Sequence, residues 1–219
     1  MIWNVPNVLT VLRLLAAPAV ALLFLYFTRP WADWFALVLF VGAAATDWFD
    51  GYLARSWKQT SKFGAMLDPI ADKAMVVIAL MVLVAYSSLS HLLVLPAAII
   101  LFREVFVSGL REFLGDVAGS LKVTRLAKWK TAAQMVAITV LFSQGVFEHY
   151  LGMSSYGMDQ TMFDSILSGE TEDVLGLQWK LTGMIWSGNI GIILLWVAAA
   201  LTLITGLDYF RKSLPHLKD

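Results

Sequence analysis

The sequence predicts an all-α integral membrane protein: one domain over residues 1–219, six transmembrane helices, a short interfacial helix at the N-terminus, and both termini in the cytoplasm. Three observations carry this expectation. Hydrophobic residues make up 59% of the chain and charged residues 15%, whereas a soluble domain has roughly 45–50% and about 25%. The apolar residues gather into six runs near the roughly 20 residues that a bilayer core requires. Lysine and arginine concentrate in alternate connections between those runs, the asymmetry that orients a membrane chain.

The elements follow in chain order, with boundaries good to about three residues. Residues 1–9 mix Trp3, Asn4 and Asn7 around Pro6, a composition suited to a helix lying in the membrane interface. Met1 to Pro6 carry neither a basic stretch nor a small-residue cleavage site, so the first apolar run is expected to stay as a membrane helix. The runs cover residues 9–27, 31–53, 63–86, 89–109, 126–147 and 183–203. Thr28-Arg29-Pro30 joins the first two and Ser87-Ser88 the third and fourth, while residues 110–125 and 148–182 form longer connections.

Arg55, Lys58 and Lys62 lie between runs two and three, Arg111, Lys122 and Arg125 between four and five, and Arg211, Lys212 and Lys218 after run six. All fall on one side of a six-span chain, which the positive-inside rule assigns to the cytoplasm. The opposite side has Arg29 and Lys180, and its long loop carries Glu148, Asp159, Asp164, Glu170, Glu172 and Asp173. That loop is rich in Gly, Ser and Met and shows no repeat or metal-ligand spacing, so it reads as a solvated connector with room for one short helix.

Composition excludes several function classes. There is no cysteine, hence no disulfide, thiolate nucleophile or cysteine-bound zinc or iron–sulfur centre. His91, His149 and His216 fall on different segments and make no cluster. Lys+Arg and Asp+Glu each number 16, so no net basic field points to nucleic acid. Oxygen-ligated Mg²⁺ or Mn²⁺ remains open.

Asp47, Asp50, Asp68 and Asp72 stand at the edges of two apolar runs, where a lone carboxylate costs several kcal/mol unless something positive compensates it (roughly, by analogy with buried charges). Asp47 and Asp50 are three apart and Asp68 and Asp72 four apart, so each pair projects from one helical face and all four can converge on metal. Gly51, Ala54, Arg55 and Gly64 lie between the pairs. Small residues admit a ligand to the backbone and an arginine fork grips phosphate. The set describes a divalent-metal site that handles phosphate, because phosphoryl transfer needs charge neutralisation and alignment more than covalent help.

Read with its spacing, Asp47-x2-Asp50-Gly51-x2-Ala54-Arg55-x8-Gly64-x3-Asp68-x3-Asp72 resembles the signature of the CDP-alcohol phosphotransferase family at every fixed position. The resemblance implies a cytidine-diphosphate lipid donor, an alcohol whose hydroxyl attacks the lipid-linked phosphorus, and CMP as leaving group. It implies that Asp47, Asp50 and Asp68 ligate two Mg²⁺ or Mn²⁺ ions, and that Asp72 is the general base and shares in ligation. Asn7, Thr10, Gly51, Ala54, Arg55 and Gly64 are then expected to line the CDP-lipid site. The family further implies a homodimer.

Three stretches resemble the bacterial members that make phosphatidylglycerophosphate: Asn4 to Arg13, Arg103 to Gly115, and Lys128 to Met135. They imply CDP-diacylglycerol and glycerol 3-phosphate as substrates in the bacterial inner membrane, with the site facing the cytoplasm. Ser108 and Arg111, three apart, are the expected contacts of the acceptor phosphate, with Lys128 and Lys130 neutralising it. The family usually carries Gly before that first lysine, where this chain has Ala127, and the loop 148–182 is longer than the resemblance leads one to expect. Inositol phosphate, serine and phosphatidylglycerol are the alternative acceptors. A cation channel or transporter would place carboxylates deep in several spans, whereas these four gather at one edge.

Overall fold

The computed structural model describes residues 5–56, 61–115 and 125–216; the side chains of Pro6, residues 47–56, Arg125, Ala127 and Lys128 fall outside the description. Among the described residues seven α-helices follow one another: α1 (Val5–Tyr26), α2 (Trp31–Ser56), α3 (Lys62–Tyr86), α4 (His91–Leu114), α5 (Arg125–Ser154), α6 (Gln160–Ser168) and α7 (Leu177–Ser213), with a 3-10 turn at Leu214–His216. Among the described residues there is no strand.

Among the described residues four stretches are long and apolar enough to cross a membrane: Asn7–Tyr26, Lys62–Tyr86, His91–Leu114 and Leu177–His216. They match the first, third, fourth and sixth expected spans. The second expected span is a continuous helix whose apolar described part, Trp31–Thr46, is shorter. The fifth lies within α5, whose mean polarity is higher because Lys130, Gln134, Ser143 and Gln144 interrupt its apolar positions. The interfacial helix is corrected: residues 5–9 are the first turns of α1, continuous with the rest of it. Proline is tolerated in a first helical turn, where its missing N–H leaves no bond unmade, so Pro6 does not separate the two segments.

Packing is arranged around small residues. Ala17, Ala36, Ala79, Ala137 and Ala198 are fully covered, and Val20, Phe40, Leu80, Ile100, Ile138, Phe142 and Leu195 fill the space between them. Small side chains let helix backbones approach, which is how association is gained where lipid already satisfies apolar surface. α5 lies along α7, α1 against α3 and α2, and α4 against α7 and α3. The outward faces are apolar as well: Leu25, Val105 and Phe113 are each about three-quarters exposed, the pattern of a surface solvated by lipid.

α1 and α3 run parallel. Thr10 and Arg13 meet Asp68 and Asp72 near their starts, and Phe24 meets Tyr86 near their ends, with ring centroids 4.9 Å apart. Fourteen residues of helix separate Thr10 from Phe24, about 21 Å. The bundle therefore has two distinct ends. At the Tyr86 end Arg29 grips Asp33 through Nε and Nη2, both at 2.8 Å, and stacks over the Tyr86 ring. Its hydrogen bonds to Asp33 raise the Arg29 pKa above the ordinary value, against the opposing effect of burial. Gly145 backs this ion pair so closely that a methyl group there would meet Asp33 Oδ1 and lie 2.6 Å from Arg29 Nη2.

The loop expected as a solvated connector does contain one short helix, α6, which ends at Gly169 in the left-handed conformation that glycine adopts without strain. It is packed as well as solvated: Leu151, Ile166 and Leu177 form a small separate core with Met158, Phe163, Leu181 and Met184 around it. Asp173 accepts hydrogen bonds from the Leu177 and Gln178 amides, at 2.7 and 2.9 Å, and so satisfies two free N–H groups at the start of α7. Those bonds hold its pKa below the usual carboxylate value.

Candidate functional site

The site is assembled by the first turns of α1 on the first turns of α3. Ser61 caps α3, its hydroxyl accepting from the Gly64 amide at 2.9 Å and donating to Asn7 Oδ1 at 2.7 Å. A methyl group at Gly64 would lie 2.7 Å from Asn7 Oδ1. Gly64 thus gives the buried Asn7 amide room against α3, the helix-packing use of a small residue.

One and two turns further on, α1 grips the two aspartates of α3. The Thr10 hydroxyl donates to Asp68 Oδ1 at 2.7 Å, and Arg13 Nη1 donates to Asp72 Oδ1 at 2.8 Å. Thr10 and Arg13 are almost wholly buried, whereas the Asp72 side chain is half exposed. Helical spacing makes this possible: Asp68 and Asp72, four apart, share one face of α3, and Thr10 and Arg13, three apart, share one face of the parallel α1. Both carboxylates thus have one edge fixed while the site stays open to solvent.

Asp47, Asp50, Gly51, Ala54 and Arg55 lie on the last turns of α2, and their side chains are outside the described residues. The helix backbone carries them to this end of the bundle, since α2 starts beside Arg29 and Asp47 is fourteen residues, about 21 Å, beyond Asp33. The donor set fits a hard divalent ion: carboxylate oxygens only, with Asp68 held by a neutral hydroxyl and paired with no cation among the described residues. Asp68 and Asp72 are the members whose side chains are described, and among the described residues no group of three ligands forms.

Beside Asp72, α3 continues with Lys73, and here a second cluster begins. Lys73 Nζ donates to Ser108 Oγ at 2.5 Å, and that hydroxyl donates in turn to the Glu104 carbonyl at 2.5 Å. Glu104 Oε1 accepts from Lys130 Nζ at 2.5 Å and from Arg103 Nη1 at 3.0 Å. Ser108 and Lys130, expected at the acceptor phosphate, are therefore brought to one cluster. Arg111 stands apart from it, its guanidinium over the Tyr209 ring at 5.3 Å. The Lys128 side chain lies outside the described residues.

Three residues were not expected at the site from sequence: Arg13, Lys73 and Glu104. Lys73 and Arg13 had a signal. Each is a cation within a short helical distance of a residue already singled out, Lys73 immediately after Asp72 and Arg13 three after Thr10. Glu104 had none, since an acid beside Arg103 in a basic flank reads as a surface ion pair.

The sequence profile of the family described as CDP-alcohol phosphatidyltransferase matches residues 3–204. A protein of Cereibacter sphaeroides named CDP-diacylglycerol–glycerol-3-phosphate 3-phosphatidyltransferase is 61% identical over 220 residues, spanning 99% of this chain and 98% of its own length. Proteins with the same name are similar in Rickettsia bellii, 39% identical over 95% of this chain and 94% of the relative, and in Pectobacterium atrosepticum, 47% identical over 64% of this chain and 76% of the relative.

Proposed function

The chain belongs to the CDP-alcohol phosphatidyltransferase family, and from that membership we propose that it transfers the phosphatidyl group of CDP-diacylglycerol to glycerol 3-phosphate, giving phosphatidylglycerophosphate and CMP. The observation that carries the reading is the pair Asp68 and Asp72, fixed by Thr10 and Arg13 and adjoining the cations gathered on Glu104. Carboxylates and cations in such proximity suit a reaction in which a phosphate-bearing alcohol must be bound and deprotonated in one place.

The bond that forms joins the acceptor oxygen to the lipid-linked phosphorus, and the bond that breaks joins that phosphorus to the oxygen leaving with CMP. Asp72 takes the hydroxyl proton. Its carboxylate is half exposed, so a water-soluble acceptor can reach it, and the Arg13 bond fixes its direction. Asp47, Asp50 and Asp68, with a share from Asp72, would hold two Mg²⁺ or Mn²⁺ ions. Bound there, the ions neutralise the diphosphate and stabilise the charge that develops on the leaving oxygen. Arg55, with Gly51 and Ala54 on the same turns of α2, supports the nucleotide end.

The same reading places six spans in a bacterial inner membrane, with this end of the bundle in the cytoplasm. The lysine and arginine distribution supports the orientation. α2 and α5 run between the same two ends as the four apolar helices and complete the six. The lipid donor then lies in the bilayer while the acceptor arrives from the cytoplasm. The homodimer expected of the family belongs to this reading and is read by mass photometry in detergent.

Purified protein supplied with CDP-diacylglycerol, Mg²⁺ or Mn²⁺, and glycerol 3-phosphate, inositol phosphate, serine or phosphatidylglycerol in turn is the direct test. CMP release with glycerol 3-phosphate is the expected result. Release with serine and none with glycerol 3-phosphate overturns it.

A further inference from the structure

Glu104 is the only carboxylate among the described residues in a cluster otherwise made of cations. Lys130 and Arg103 both donate to its Oε1, at 2.5 and 3.0 Å, and Lys73 reaches its backbone carbonyl through the Ser108 hydroxyl. Three helices are tied in this way: α3 through Lys73, α4 through Glu104 and α5 through Lys130. Lys130 and Glu104 have side chains about 9% and 12% exposed, so neither charge is dispersed by water. Three cations about one carboxylate leave two positive charges in excess.

Arg103 adds a second observation. Its stem lies against Gly206 of α7, where a methyl group would come 2.9 Å from Arg103 Cγ, so the side chain cannot swing in that direction. Its Nε is buried and has no hydrogen-bond partner among the described residues. A buried donor left unused is costly, by about 1–3 kcal/mol in general, unless a ligand completes it.

We infer that Glu104 is a positioning residue for the acceptor, presetting Lys130 and Arg103 beside Lys73 as a cation group that takes a phosphomonoester dianion and excludes zwitterionic or neutral alcohols. The inference rests on the proposed transfer reaction and assigns its acceptor selectivity to one carboxylate. Without Glu104 the two cations would repel each other, and the buried Lys130, reaching from α5 to α4, would lose the group that orients it. With Glu104 the excess of two charges matches a phosphomonoester. Serine would bring an ammonium group into the same field, and a neutral polyol would leave the excess uncompensated.

Kinetics with each substrate varied separately give the test. Glu104→Gln raises KM for glycerol 3-phosphate about tenfold or more, as loss of one partner of a buried charge pair does, and leaves KM for CDP-diacylglycerol within about twofold. Glu104→Asp, which keeps the charge, recovers most of the loss. Lys130→Met gives the same selective increase, and Glu104→Gln combined with Lys130→Met is no better than either alone.

Equal loss against both substrates in step with a lowered Tm, or recovery of the acceptor KM in the double variant, shows that Glu104 only compensates a buried lysine and overturns the inference. Should Glu104→Gln elute as aggregate, the double variant decides, because it removes the buried lysine together with its carboxylate and leaves only Arg103 without that partner. Wild-type protein that releases no CMP with glycerol 3-phosphate removes the proposed function itself. Wild-type activity with an unchanged acceptor KM in Glu104→Gln removes only the role of Glu104.

Discussion

Thr10→Val probes the site through a single atom. Valine keeps the shape of threonine and replaces the hydroxyl that donates to Asp68 Oδ1 at 2.7 Å, in a position 2% exposed. A hydrogen bond to a charged acceptor contributes about 1.5–3 kcal/mol, which is roughly 10- to 100-fold in an equilibrium constant. The same range, about 10- to 100-fold in metal affinity, is typical when a group orienting a ligand is removed. Asp68 is partly open to solvent, so water can replace the lost donor and the effect should fall nearer the tenfold end. Mn²⁺ binding followed by the EPR signal of the free ion reads this without turnover: Kd rises, while kcat at saturating Mn²⁺ stays within a few-fold of wild type. Thr10→Ser keeps the hydroxyl and should bind as wild type does. Wild-type Mn²⁺ affinity in Thr10→Val would refute the claim that Thr10 orients a metal-ligating Asp68.

Asp72→Asn should lower kcat by about 100-fold or more, the usual contribution of a general base, with CDP-diacylglycerol binding by equilibrium dialysis largely kept; full activity would remove Asp72 as base. Gly145→Ala should destabilise the bundle by up to about 2 kcal/mol, because overpacking a close contact typically costs about 1–3 kcal/mol and alanine regains up to about 1 kcal/mol over glycine in a helix. Unfolding followed by tryptophan fluorescence reads it, and a Tm equal to wild type would contradict the close approach of Gly145 to Asp33 and Arg29. The pKa of Asp173 is depressed in the folded state, so its contribution is complete at pH 7 and is lost as pH falls through the folded value. Hydrogen exchange at the Leu177 and Gln178 amides should therefore be faster in Asp173→Asn at pH 7 and equal to wild type at strongly acid pH.

Local pattern made the helices and the aspartate motif legible. Four apolar runs became helices long enough to cross a membrane, the last of them extending well past the expected run at both ends, and the spacing of Asp68 and Asp72 put both on one face because a helix repeats every 3.6 residues. The contacts that finish the site are long-range, and no local pattern records them. Thr10 and Asp68 are 58 residues apart and Arg13 and Asp72 are 59. Gly64 illustrates the ambiguity: a glycine in this motif fits backbone approach by a nucleotide, and the structure fills its open side with Asn7. Arg29, Asp33 and Gly145 gave no signal at all, since their meeting requires α2 to lie against α5. Lys130 is expected at the acceptor phosphate from sequence, whereas its partner Glu104, 26 residues away on α4, is a contact that no local pattern records.

The grip of α1 on α3 has a consequence for any experiment on the aspartates. A guanidinium as deeply covered as that of Arg13 costs several kcal/mol, roughly, unless a carboxylate or another acceptor faces it, and Asp72 presents one at 2.8 Å. The proposed base and the docking of two helices therefore share one hydrogen bond. Asp72→Ala would remove both at once, and its loss of activity would say little about proton transfer. Asp72→Asn retains an oxygen that can accept from Arg13 Nη1 and removes the charge and basicity, so the two roles separate: Tm follows the contact and kcat follows the base. A large fall in kcat with a Tm close to wild type assigns the defect to chemistry, whereas parallel falls in both assign it to the seam between α1 and α3.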